Sequence, residues 1–500
     1  MDEGNIFQAN NSNLNNTPNA SDLPIQNPTA PSVSQNPQVV NVPIEPAIQP
    51  NPAPPPAPPF PSDGSFLSNL SIGSILKILI GIGFIIFFLF LIFVVILPNF
   101  NKNKNQKVTL TYWGLWEDAS VMNPIISDFE RQNPNITVVY SKQDSKDYRD
   151  RLTARIQNGT GPDIFTFHNT WYPMLSGFLL PLPSSVISKD QFAKSFYPVA
   201  SSDLIKNGGI YGIPLELDTL ALYVNTDILN SAGIKPPTTW EQFRDDAKSL
   251  TVKDSSGKIQ TAGAAIGTFD NVNHAPDILS LLFVQNGADL SNFTNSSQQV
   301  SDALKFYTSF SSDSSSVWDS TLDPSLLDFS KGSVAMVFGY SWDYFNIKAL
   351  NPALNFQIVP VPQLDPTNPI AIASYWAQGA SIKSPHQKEA LMFLHYLTDS
   401  GVEQKIYSEE AKTRVFGEPY PSVTLAPTLK SDPNLSAFVS QNSHAVSSYF
   451  VDSTFDNGLN LKLNTYLGNA VTSIFNNTSP DSATATLFAG YGQVLKEYGQ

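Results

Sequence analysis

Residues 78–97 read ILIGIGFIIFFLFLIFVVIL, twenty in a row without a charge, and no other stretch so narrows what the chain can become. As a helix rising about 1.5 Å per residue, this run spans roughly the 30 Å hydrocarbon core of a bilayer. A cleavable signal has a shorter apolar core and a small-residue cleavage site, whereas here Pro98, Asn99, Phe100 and Asn101 follow. The sequence therefore predicts an uncleaved transmembrane anchor over residues 74–98 and a linker over 99–107. The chain has no cysteine, which excludes disulfides, thiolate metal sites and lipid attachment through sulfur. Any anchor must be the chain itself.

Residues 1–70 are rich in Asn, Pro, Ser and Gln, hold no Lys or Arg, and include PAPPPAPPFP at 52–61. So few apolar groups cannot offset the entropy of ordering, which predicts a disordered tail with a polyproline stretch, either a spacer or a ligand for an aromatic groove. The flanking charges set a conflict. Lys102, Lys104 and Lys107 follow the run and only Lys77 precedes it, so the positive-inside rule alone would leave residues 108–500 in the cytoplasm. Long domains translocate with little regard to local charge. The reading below places residues 108–500 outside the cell and the tail in the cytoplasm.

The net charge is −14, and about −13 of it belongs to residues 108–500, with 25 basic and 38 acidic residues. Such a surface disfavours nucleic acid, whose phosphates need clustered Lys and Arg.

Residues 108–500 alternate strands and helices. Residues 108–112 form a strand; Asn123 is placed to cap a helix with Pro124 at its first position and Ile125, Ile126 and Phe129 on its apolar face. A strand over 136–140 leads to a helix with Tyr148, Leu152 and Ile156 at spacing four, and GTGPD precedes a strand over 164–167. Repeated βαβ predicts a parallel sheet. Thr239 and Gln242 form a capping box before Phe243, Ala247 and Leu250, and residues 386–398 and 460–475 read as helices.

Open parallel sheets bind ligands beyond the carboxyl ends of their strands. The first strand runs into Trp113, Trp116, Glu117 and Asp118, and the third into His168, Asn169, Trp171 and Tyr172. Aromatic faces beside short polar groups suit a sugar, whose C–H faces pack on rings while its hydroxyls take hydrogen bonds. The five histidines, at 168, 274, 386, 395 and 444, show no metal-ligand spacing, and no phosphate-cradling loop with its lysine occurs. No metal, cofactor or ATPase activity is expected.

Several motifs in order resemble one family: GPDIF from Gly161, GGIYGIPLELDTLALYVNTDIL from Gly208, AGIKPPTTWEQF from Ala232, FSKGSVAMVFGYSW from Phe329 and EALMFLHYLT from Glu389. The sequence resembles the extracellular solute-binding proteins of ABC importers, family 1, the maltose-binding-protein-like group. The resemblance implies an α/β, two-lobed periplasmic-binding-protein-like fold of type II, lobe 1 over about 108–217 and 375–418 and lobe 2 over about 218–374 and 419–500. It implies crossings near 216–219, 370–380 and 417–422, a hinge that closes on the ligand, and binding without chemistry. The family's cleft positions fall on Trp113 to Asp118, on 168–171, on Glu216 and Asp218, on Trp342, and on the second crossing. There this chain has Tyr375 and Trp376 where many relatives carry a glycine pair. A monomer serving membrane-bound permease subunits follows from the resemblance. Two rivals stay open: a ligand-sensing ectodomain for a signalling partner, and a tethered glycoside hydrolase using Glu117 and Glu216.

Overall fold

The computed structural model describes residues 72–92, 107–312 and 315–499. Ile72–Phe90 is a helix, starting two residues before the predicted anchor, and the apolar side chains over 79–90 stand exposed, Phe84 at 73% and Ile86 at 62%. Among the described residues no helix is long and apolar enough to cross a membrane. Residues 93–98 of the predicted anchor lie outside the described residues, as do the tail and residues 99–106 of the linker.

In residues 107–499 the first three strands are β1 (Val108–Gly114), β2 (Ile136–Lys142) and β3 (Ile164–His168). β1 pairs in parallel with both of the others, as the βαβ pattern predicts. Leu110 and Tyr112 of β1 face a core shared with Ile125 and Phe129, Leu152 and Ile156, and Phe393. The first helix is Ala119–Gln132, with Pro124 inside it rather than at its start. Val121 and Met122 are buried as well, so the apolar face extends upstream of the proline and draws the helix with it.

The chain then passes through β4 (Ile213–Pro214) and β5 (Asp218–Thr219) into β6 (Ala221–Asn225). β6 is flanked antiparallel by β7 (Met336–Gly339) and β8 (Phe356–Pro360), and this second sheet carries its own core. Trp240, beginning the helix Trp240–Leu250, lies stacked on Phe338 at 5.7 Å. The capping box there is half made: Thr239 accepts from the Gln242 amide at 3.2 Å, but the Gln242 side chain turns to the Thr238 amide at 2.9 Å.

The chain returns by β9 (Ala371–Ser374) and β10 (Trp376–Ala380). β10 lies antiparallel to both β3 and β4, giving the order β2–β1–β3–β10–β4. The sheet is thus mixed, not wholly parallel: only its first three strands belong to βαβ units, and the last two are threads between the sheets. β9 pairs antiparallel with β5 and in parallel with β11 (Ala445–Val446). The Leu217 amide donates to the Pro419 carbonyl at 2.9 Å. Segments 216–219, 370–380 and 417–422 therefore run side by side between the two sheets. Helices Leu459–Phe475 and Pro480–Glu497 follow.

Candidate functional site

Trp376 is the centre of an aromatic corner. It opens β10 opposite His168, and this register sets its ring edge-on to His168 at 5.0 Å, Trp116 at 5.2 Å and Trp171 at 5.3 Å. The corner thus joins the loop after β1, the end of β3 and the second crossing. Trp116 is 40% exposed while Trp376 is buried and Trp171 is fully buried. Trp116, Glu117, Glu216 and Trp376, with Tyr112, Gln378 and Glu410, line a cavity of about 40 Å³.

The other predicted residues divide by location. Trp113 is half-buried against the core. Asp118 is exposed, stands at the start of the helix Ala119–Gln132 and pairs with Lys142 at 2.8 Å. His168 is buried between the Thr170 hydroxyl at 2.8 Å and the Ser374 hydroxyl at 3.0 Å. Burial pushes its imidazole down to about 3, so it is neutral. The Asn169 side chain donates to Asp203 at 2.9 Å, and the Tyr375 hydroxyl donates to the same carboxylate at 2.8 Å. Asn169 and Tyr375 thus brace the corner from behind.

Between the crossings lies a charge cluster. The Arg414 guanidinium meets Glu418 at 3.1 Å, Glu117 at 3.2 Å and Glu410 at 3.3 Å. Burial raises all three carboxyls against the pull of Arg414; the charge of Glu117 adds to the rise of Glu410 and Glu418, and that of Asp118 to the rise of Glu117. Glu216 is raised well above the ordinary value by burial and then by Glu418 and Glu410. Asp218 is buried, accepts from the Ser341 amide at 2.7 Å and the Thr219 amide at 2.8 Å, and is pushed up to about 8, chiefly by burial. Glu216 and Asp218, both expected in the cleft, thus differ: Asp218 ties the crossing to the Trp342 loop, and Glu216 faces the cavity.

The second sheet contributes Trp342, stacked on Tyr340 at 4.4 Å and 14°. Behind it His274 bonds Asp343 at 2.9 Å, and Asp452 lies 3.6 Å from its other nitrogen. Burial alone would lower this imidazole; the Asp343 carboxylate overrides it and the pKa rises to about 9. The sequence reading missed Arg414, Glu410, Glu418 and His274, and also Phe455, whose ring meets Trp116 at 5.8 Å. Arg414 and Glu117 are 297 positions apart, and no local pattern joins them. Among the described residues no group of three or more His, Asp or Glu is placed to hold a metal ion.

Two units joined by three threads, with aromatic rings and carboxylates gathered where the threads cross, define a class of binding protein rather than a single example of it. The chain belongs to the bacterial extracellular solute-binding protein family, whose pattern matches residues 112–404. It is 24% identical over 328 residues, 61% of this chain and 75% of the relative, to the multiple sugar-binding protein of Streptococcus mutans serotype c. Among solved structures it is similar to the sugar-binding protein MalE from the phytopathogen Xanthomonas citri. There the TM-score is 0.64 at 18% identity, covering 78% of this chain and 98% of that one. It is also similar to a cyclo/maltodextrin-binding protein complexed with maltotetraose, with a TM-score of 0.62 at 19% identity over 77% and 96% of the two chains. These likenesses establish the two-lobed α/β fold predicted from the motifs.

Proposed function

We propose that this protein is an extracytoplasmic receptor that captures a carbohydrate between its lobes and delivers it to an ABC importer. The observation that carries this reading is the corner of Trp116 and Trp376 beside the half-buried Glu117 and Glu216. Rings take the C–H face of a pyranose and carboxyls take its hydroxyls. Structural relatives were solved with maltotetraose, α-D-tagatose and mannobiose, which supports a saccharide. A cavity of about 40 Å³ is far below the roughly 300–1,000 Å³ of ligand sites, so a saccharide would rest against the exposed Trp116 rim of the corner rather than inside it. Trp342 would close on the ligand from the second lobe, and hydrogen bonds to both lobes would favour the closed form. Lobe 1 would comprise residues 108–217 and 375–418, lobe 2 the remainder.

The apolar run over 78–97 would hold the receptor beside its permease, doing in one helix what a lipid does elsewhere. Fractionation tests this part: the protein should stay with membranes through a high-salt wash, and recovery in the medium trimmed near residue 100 would contradict it. The binding reading is tested by thermal shift of the purified full-length chain against mono- and oligosaccharides, polyols and short peptides. A ligand at 100 times its dissociation constant stabilises by about 2.7 kcal/mol. A saccharide that raises the midpoint and is recovered intact by mass is the expected result. A cleaved saccharide would make the protein a hydrolase, and stabilisation by peptides alone would replace the ligand class.

A further inference from the structure

Trp376 and Gln378 stand two apart on β10, so both point to one face of it, and both line the cavity at the aromatic corner. Gln378 lies opposite Thr166 of β3. Its Oε1 accepts from the Thr166 hydroxyl at 2.7 Å and from the Tyr112 hydroxyl at 2.9 Å. Two donors on one oxygen fix the plane of the amide. Its Nε2 group, which meets no acceptor among the described residues, is thereby left to the cavity. The side chain is only 4% exposed, and a buried donor without a partner bears the full cost of leaving water. Glu216 of the first crossing lines the same space, half-buried, and its carboxyl takes no hydrogen bond among the described residues. Glu410 forms another wall, with one oxygen bound to the Glu418 amide at 2.7 Å.

Size and chemistry then decide what enters. About 40 Å³ admits roughly two or three non-hydrogen atoms, since one water takes about 10–15 Å³. A pyranose ring stays outside. An ammonium group only donates, so it would leave the Gln378 amide unpaired. A carboxylate only accepts, and it would face the carboxyls of Glu117, Glu216 and Glu410. A hydroxyl does both: it accepts from Gln378 and donates to Glu216. Burial raises Glu216 well above its ordinary value and Glu410 to about 8, which weakens the pull on a cation further. A hydroxyl fixed directly to a ring carbon cannot pass the tryptophan edges without bringing its ring along, whereas one on a single-carbon arm can.

We infer that the cavity is a socket for the exocyclic hydroxymethyl group of a hexopyranose, with Gln378 donating to its oxygen, Glu216 accepting from it, and the ring resting on Trp116. This rests on the carbohydrate reading and narrows it to saccharides with a free 6-hydroxyl. Calorimetric titration of the full-length chain with matched sugars tests it: glucose with xylose, mannose with lyxose, and maltotriose and mannotriose each with its 6-deoxy form. In every pair that binds, the member carrying the 6-hydroxyl should bind at least about a hundredfold more tightly, because a site built around a hydroxyl is left unpaired by the analogue that lacks it. Glucuronate and 6-amino-6-deoxyglucose should bind as weakly as xylose. Gln378→Leu should erase the preference. Because Gln378 also holds the Tyr112 and Thr166 hydroxyls, Glu216→Leu supplies a second variant that breaks no such bond, and it should cut the preference about tenfold. Equal affinity within the pairs, an amine or uronate bound as tightly as glucose, or variants that weaken both members of a pair alike would overturn the socket and leave carbohydrate binding standing. Binding by none of these sugars would overturn both.

Discussion

Arg414 gathers Glu117, Glu410 and Glu418 from a loop, a helix end and a crossing, so one guanidinium serves three carboxyls and some of them resist ionisation. Glu410 and Asp218 are each pushed up to about 8 and Glu403 to about 7, in every case chiefly by burial. A carboxyl raised on folding binds its proton more tightly in the folded chain, so the stability it contributes is full below the ordinary 4.5 or 3.8 and is lost as pH climbs through 7 to 8. His168 works the other way: lowered from 6.5 to about 3 by burial, it contributes stability that is lost as pH falls from 6.5 toward 3. With three such carboxyls against one histidine, the melting temperature should therefore peak at about pH 4 and fall toward pH 8, and Glu410→Gln should flatten the alkaline side. A midpoint that rises from pH 6 to 8 would contradict this assignment. Gly114 gives a second test: a Cβ there would overlap the Tyr140 ring, so Gly114→Ala should destabilise by about 1–3 kcal/mol in urea unfolding. The tryptophans were legible in the sequence because they punctuate strand ends. Arg414 was not, because its partners are neighbours only after the crossings fold together.

At the scale of elements, period and turn chemistry located the first three strands and five of the helices, those at 119–132, 148–157, 240–250, 387–396 and 459–475, and they failed where a long-range partner decides the outcome. β5 and β4 are two residues each, too short for any alternation to show, and they exist because the returning chain offers them a partner in β9 and β10. The helix Ala119–Gln132 ran past Pro124 for a similar reason. Its buried Val121 and Met122 outweigh the missing hydrogen bond. Pro124→Ala should restore that bond and stabilise the chain by about 1–2 kcal/mol, measured by chemical denaturation. A loss of stability would mean that the proline is what sets the helix's path beneath Lys405, whose ammonium bonds the Pro124 carbonyl at 2.9 Å.

Across the whole molecule, an acidic, cysteine-free chain folds as two α/β lobes, with ionisable groups and rings gathered about the connecting threads. The family motifs made that architecture readable, while the small volume at the aromatic corner came only from the assembled fold. The central claim is that a saccharide binds against Trp116 and Trp376 between those lobes. The most direct measurement is calorimetric titration of the full-length chain and its Trp116→Ala variant with maltooligosaccharides and mannooligosaccharides of defined length. Trp116 is 40% exposed, so its removal should spare the fold. One saccharide per chain, bound intact and at least about tenfold more weakly by the variant, is the predicted result; equal affinity for parent and variant would contradict the site, and no saccharide binding at all would contradict the function.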